Sequence, residues 1–167
     1  MATISTNIQL KFEGPELKGE SKVAGHEEEL DILSYSWGVM QPSAGPTGEG
    51  SGASTAQFQS LTVTKYIDKS SPTLMLKCAN GQHFEKATMI VREVGGDATV
   101  DYLTIELAHV IIIGYSTSAS GGGDKGMENV TLGARQIKII YKTQDTAAGV
   151  EGASTEFAWN VAEQQPI

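Results

Sequence analysis

The chain has 167 residues, 40% of them hydrophobic and one of them cysteine, with a formal net charge of −8. That length suits one domain over residues 1–167 that buries roughly 70% of its extended surface, and a lone Cys78 excludes an internal disulfide. The acidic balance, with no local cluster of Lys and Arg to offset it, argues against a nucleic-acid partner.

Nineteen glycines, five prolines and many short alternating runs of Thr, Val and Ile favour an all-β barrel or sandwich. Ile8, Leu10 and Phe12 alternate with Asn7, Gln9 and Lys11 as a half-buried strand that turns at Gly14-Pro15. Residues 14–21, GPELKGES, narrowly miss the phosphate-cradling G-x-x-x-x-G-K-[ST] loop; Glu20 stands where the lysine belongs and would repel phosphate. His26 precedes three glutamates, yet consecutive strand residues face opposite ways, so a solvated charge run is expected there and not a metal site. The second strand, residues 29–38, places Leu30, Ile32, Ser34 and Ser36 on one face and Asp31, Leu33, Tyr35 and Trp37 on the other.

Residues 41–57 are rich in Gly, Ser and Thr and lack the apolar surface to fold alone, which leaves two readings, a disordered loop and a loop used for interaction. Leu61 and Val63 then alternate with Thr62 and Thr64. Ser71 at the cap position and Pro72 at the first helical position start a helix over residues 73–79, which Asn80-Gly81 terminates. Leu74, Met75 and Cys78 form its expected inward side, with Cys78 a buried, inert thiol. Ala87, Met89 and Val91 follow in alternation, and Gly95-Gly96 fits a hairpin turn. The run over residues 100–116 becomes nearly all apolar at Val110-Ile111-Ile112-Ile113, an expected burial on both faces, with His109 read as a core histidine. Strands around Ile137, Ile139 and Tyr141, and around Phe157, Trp159 and Val161, complete eight or nine strands and one helix. Beside His83 and His109 no G-x-S-x-G elbow supports a Ser-His-Asp centre, and the Asn129-Val130-Thr131 sequon is discounted. No catalytic, cofactor or metal site is expected.

Lys65-Tyr66-Ile67-Asp68-Lys69-Ser70-Ser71-Pro72 resembles the KYxDK(S/A)(S/T)P signature of the hemolysin-coregulated protein (Hcp) family of type VI secretion tube proteins. Lys18-Gly19-Glu20-Ser21, residues 26–38, Tyr102-Leu103-Thr104-Ile105, residues 128–132 and Phe157-Ala158-Trp159-Asn160 resemble the same family in the same order. Residues 41–57 and 143–154 match it only in being small and polar. The resemblance implies a β-barrel of two sheets with the short helix beside it, closing into a homo-hexameric ring. Rings would stack inside a sheath, carry a VgrG-like spike at the tip, and hold small secreted effectors in the lumen. Alternation then nominates Ser34 and Ser36 on one strand, and Thr62 and Thr64 on the next, as a wet lumen lining, with Ser36 the foremost effector contact.

The N-terminal MATISTNIQLKF lacks a basic region and a continuous apolar run, so the expectation is synthesis in the cytoplasm with no cleaved signal and no stable membrane insertion; the secretion that the resemblance implies would then proceed without a Sec-type signal. The competing readings are a small enzyme or sugar-binding sandwich, which needs a concave pocket, and a phage tail-tube subunit of like architecture.

Overall fold

The computed structural model describes residues 6–42, 55–95, 98–144 and 151–167. Strands β1 (Ile8–Glu13), β2 (Leu30–Ile32) and β3 (Ser34–Ser36) precede the short pair β4 (Val39–Met40) and β5 (Gln57–Phe58). Then come β6 (Leu61–Tyr66), helix α1 (Ser71–Asn80), β7 (His83–Gly95), β8 (Ala98–Ser118), β9 (Met127–Gln144), β10 (Glu151–Asn160) and β11 (Gln165–Pro166). Eleven strands thus stand among the described residues, more than the eight or nine expected. The surplus comes from the split of residues 29–38 into β2 and β3 and from the short pieces β4, β5 and β11.

Nine strands form one antiparallel sheet with the path β11-β10-β9-β8-β7-β1-β2, and β6 joins it by pairing with both β9 and β3. The strands do not close into the expected two-sheet barrel. Pairing changes partner at Leu33: β2 pairs with β1, whereas β3 pairs with β6. Between them the Leu33 amide donates to the Thr64 carbonyl at 2.7 Å, a single main-chain bond in place of a ladder. The remaining sheet is the two-stranded β4–β5 ribbon, which flanks residues 43–54, so most of the 41–57 loop lies outside the described residues.

Period-2 alternation decides the core. Leu10, Phe12, Leu30, Ile32, Leu61, Val63, Ala87, Met89, Ile105, Leu107, Val130 and Leu132 point inward into one cluster. Where the alternation breaks, expectations fail. At Ile112/Gly114 the β8–β9 register shifts, and Ile113 in the bulge is turned outward, 52% exposed, instead of being buried on both faces. At His109, φ is 53° and neither neighbouring ladder pairs the residue, so the strand bends and the imidazole is exposed, not a core histidine. The β7–β8 pairing extends to Gly95↔Ala98; Gly96, part of the expected hairpin turn, lies outside the described residues.

Helix α1 begins one residue earlier than the cap pattern suggests. Ser70 occupies the cap position without a side-chain cap bond, and Ser71 is already helical. Gly81 ends the helix at φ 68°, its amide donating to the Lys77 carbonyl. Of the expected inward residues, Leu74 is fully buried, Cys78 half-buried and Met75 exposed.

The near-miss phosphate loop is closed to phosphate for a structural reason as well. The Gly19 amide donates to the Glu28 carbonyl, and a Cβ at Gly19 would overlap the Glu29 carbonyl. Its main chain is spent on packing against residues 28–30. Beyond it, Glu27 and Glu28 are exposed as expected, but His26 is buried and its Nδ1 lies 2.8 Å from the Glu29 carboxylate. The charge run is therefore only half solvated.

Candidate functional site

Strands β3, β6, β9 and the far end of β8 lie side by side, and their register assembles two rows across the sheet. One row runs Ser36–Thr62–Thr131–Gly114, the other Ser34–Thr64–Asn129–Ser116. Successive residues on a strand point to opposite faces, so these rows share the face turned away from Tyr35, Val63, Val130 and the core. Ser34, Ser36, Asn129 and Ser116 are exposed; Thr62, Thr64 and Thr131 are half-buried. Neighbouring strands are tied side chain to side chain: Thr64 Oγ1 donates to Asn129 Oδ1 at 2.7 Å, and the Thr62 and Thr131 hydroxyls lie 3.3 Å apart.

All four residues nominated from alternation, Ser34, Ser36, Thr62 and Thr64, thus fall on one surface. Asn129, Thr131 and Ser116 were missed. Asn129 and Thr131 were legible as the polar positions of the alternating Glu128-Asn129-Val130-Thr131-Leu132, but their pairing with Thr64 and Thr62 depends on a register no local pattern gives. Ser116 needed the bulge at Ile112/Gly114, which shifts β8 by one residue. Neither row contains a charged or titratable side chain. Its hydroxyls and amide can hydrogen-bond water or a passing chain, but they supply no acid, base or nucleophile with an activating partner.

Directly behind these rows, on the opposite face of the same strands, lies a buried ionic cluster. Lys65 is 1% exposed and Glu128 0%. The Lys65 ammonium donates to Glu128 Oε1 at 2.5 Å and the Tyr66 carbonyl at 2.9 Å, and sits 3.0 Å from Asp68 Oδ1. These three acceptors satisfy its three N–H groups. Glu128 in turn accepts from Ser71 Oγ at 2.9 Å and, on its other oxygen, from the Tyr115 hydroxyl. Ser71 Oγ also accepts from the Asp68 amide at 3.0 Å, and Ser70 donates to Asp68 through both its amide and hydroxyl. One cation faces two carboxylates, and the surrounding hydroxyl and amide donors offset the excess negative charge. Burial, then the bond to Glu128, pushes the Tyr115 phenol from 10.0 up to about 12. The Ser71 hydroxyl that the sequence offers as a helix cap is instead the link between α1 and the sheet.

Other short blocks singled out in the sequence also meet in space. Trp37 lies 6.2 Å from Phe58 and 6.5 Å from Phe157, and Phe157 stacks on Trp159 at 6.5 Å. Lys18 pairs with Glu28 at 2.7 Å. A shallow open cavity of about 370 Å³ lies over β7–β10, rimmed by the pairs Lys86–Glu106 at 3.5 Å and Lys138–Glu156 at 3.1 Å. No group of three or more potential metal-ligating side chains occurs among the described residues, and no helix among them is long and apolar enough to cross a membrane.

Comparison with known proteins gives one direction. The sequence pattern of the family described as "Type VI secretion system effector, Hcp" matches residues 9–141. Protein hcp1 of Pseudomonas aeruginosa is 40% identical over 146 residues, 87% of this chain and 90% of that protein. The crystal structure of Hcp1 from Salmonella typhimurium superposes with a TM-score of 0.79 at 27% identity, covering 98% of this chain and all of that one. A further solved structure, described as a type six secretion system protein, shares the fold with a TM-score of 0.87 at 23% identity over 96% of this chain and 98% of that one.

Proposed function

The chain belongs to the type VI secretion system Hcp family, and from that premise we propose that it is a structural subunit of the secretion tube. Six copies close into a ring, rings stack, and the uncharged rows on β3, β6, β9 and β8 line the lumen. The observation that carries this reading is that surface: small hydroxyl and amide side chains, tied across strands and free of charge, on a sheet whose opposite face is sealed into the core. Such a wall wets readily and holds a passing protein by hydrogen bonds that exchange with water, each of small net strength.

Assembly has a physical basis in the same ribbon. Among the described residues, β8 beyond Ile111 pairs with β9 but not with β7, and β3 pairs only with β6. The ribbon therefore has an unpaired edge on each side, and an edge strand is a template for a strand of another chain. Joining unlike edges is a head-to-tail contact, the kind that closes into a ring.

In this reading residues 1–167 form a single tube domain. The ring moves as a mechanical part, with a sheath outside and a spike at the tip, needs no cofactor, and is released from the cytoplasm by the apparatus. Ser36, exposed at the end of its row, is the foremost effector contact, with Ser34, Thr62 and Thr64 beside it. Ser36→Arg tests this. Rings of unchanged mass with reduced co-purification of effector support the role; unchanged retention removes Ser36 from the lining.

A further inference from the structure

The Asn80-Gly81 pair that ends helix α1 combines two groups able to react with each other, a side-chain amide and an uncrowded main-chain nitrogen. The chain has four asparagines, and Asn7, Asn129 and Asn160 each precede Ile or Val, whose branched side chains crowd the amide nitrogen that follows. Asn80 precedes glycine, which has no side chain to do so. Both residues are exposed, and no atom lies within 4 Å of where a Cβ at Gly81 would stand.

The fold restrains both groups. Asn80 is the last helical residue, and the Gly81 amide donates to the Lys77 carbonyl at 3.0 Å. Attack by that nitrogen requires loss of its proton, which this bond holds, and helical backbone points the nitrogen away from the preceding side chain. Asn80 Oδ1 accepts from the Gln82 amide at 3.0 Å, so the side-chain carbonyl is held toward the residues that follow. These bonds lie at an exposed helix end, the kind of place where local opening needs little free energy.

We infer that Asn80 is a site of spontaneous deamidation, gated by the C-terminal cap of α1. When the last turn opens, the Gly81 nitrogen loses its proton and attacks Asn80 Cγ. A cyclic imide forms through the new N–Cγ bond, the Cγ–Nδ2 bond breaks and ammonia leaves. Water then opens the imide at either carbonyl, giving aspartate or isoaspartate, so the net change is one water consumed for one ammonia released. Either product places a carboxylate at the end of α1 where the helix dipole is already negative. Isoaspartate also lengthens the main chain by one carbon and displaces the Gly81 amide from the Lys77 carbonyl. Conversion therefore weakens the cap that had restrained it. The site is separate from the lumen rows and does not depend on their role.

The test incubates the whole chain at neutral pH, folded in buffer and unfolded in guanidinium chloride, and follows all four asparagines by peptide mapping with mass spectrometry, which reads the replacement of NH2 by OH. In denaturant Asn80 is expected to convert while Asn7, Asn129 and Asn160 stay intact over the same period. In buffer its conversion should be slower by about tenfold, because the cap must open first. Gly81→Ala, compared in denaturant so that its effect on folding plays no part, should slow conversion by about tenfold. Conversion of Asn80 in denaturant no faster than at the other three asparagines, or unaffected by Gly81→Ala, overturns the site. Equal rates in buffer and in denaturant overturn the gate.

Discussion

The two faces of the β3–β6–β9–β8 ribbon carry opposite chemistry on the same strands. Lys65 and Glu128, buried and paired with each other at 2.5 Å, alternate with the uncharged Thr64, half-buried, and Asn129, exposed. On the inner face Lys65 and Glu128 have fixed partners and almost no access to water, so removing one strands the other. On the outer face water replaces whatever is removed. A wall made this way is rigid from behind and permissive in front.

The sharpest way to break that contrast is to remove one member of the buried pair. Glu128→Leu leaves the Lys65 ammonium without its closest partner and should cost about 3–5 kcal/mol in denaturant unfolding. Adding Lys65→Met should recover a large part of that loss, because two apolar side chains need no charge partner. Ser71→Ala deletes a buried donor to Glu128 and should cost about 1–3 kcal/mol. An unchanged midpoint in either single variant would show that the cluster does not fix the sheet.

Tyr115 sharpens the comparison through pH. Its phenol is held protonated in the folded state, from 10.0 up to about 12. A folded value above the unfolded one gives stability that is fully present below about pH 10 and lost as pH rises toward about 12. Wild type should lose stability across that window, and Tyr115→Phe should lose less, read by urea unfolding at several alkaline pH values. The smallest effects belong to the outer face. Ser34→Ala and Ser36→Ala should each stay within about 0.5 kcal/mol of wild type.

The outer face was largely legible in the sequence because it depends on period-2 alternation, which residues 34–36 and 62–64 state locally. The inner cluster was not. Lys65-Tyr66-Ile67-Asp68-Lys69-Ser70-Ser71-Pro72 read as a strand ending in a helix cap, and the strand and helix are there. The Ser71 hydroxyl, however, points to Glu128, 57 residues away in sequence, and no local pattern encodes that partner. The same limit explains Leu33, where a run that alternates without interruption changes its pairing strand and leaves the expected barrel unclosed. It explains Ile113 as well: an apolar run announces burial, but a one-residue bulge decides which side chain is turned out. Met75 failed for a related reason. Helical spacing groups it with Leu74, yet the sheet covers only one arc of so short a helix.

The central claim, that copies of this chain assemble with the uncharged rows around an open channel, is tested most directly by solution mass from light scattering. The account predicts a species six times the mass of the chain. A stable monomer at high protein concentration would contradict it and turn attention to the shallow cavity over β7–β10.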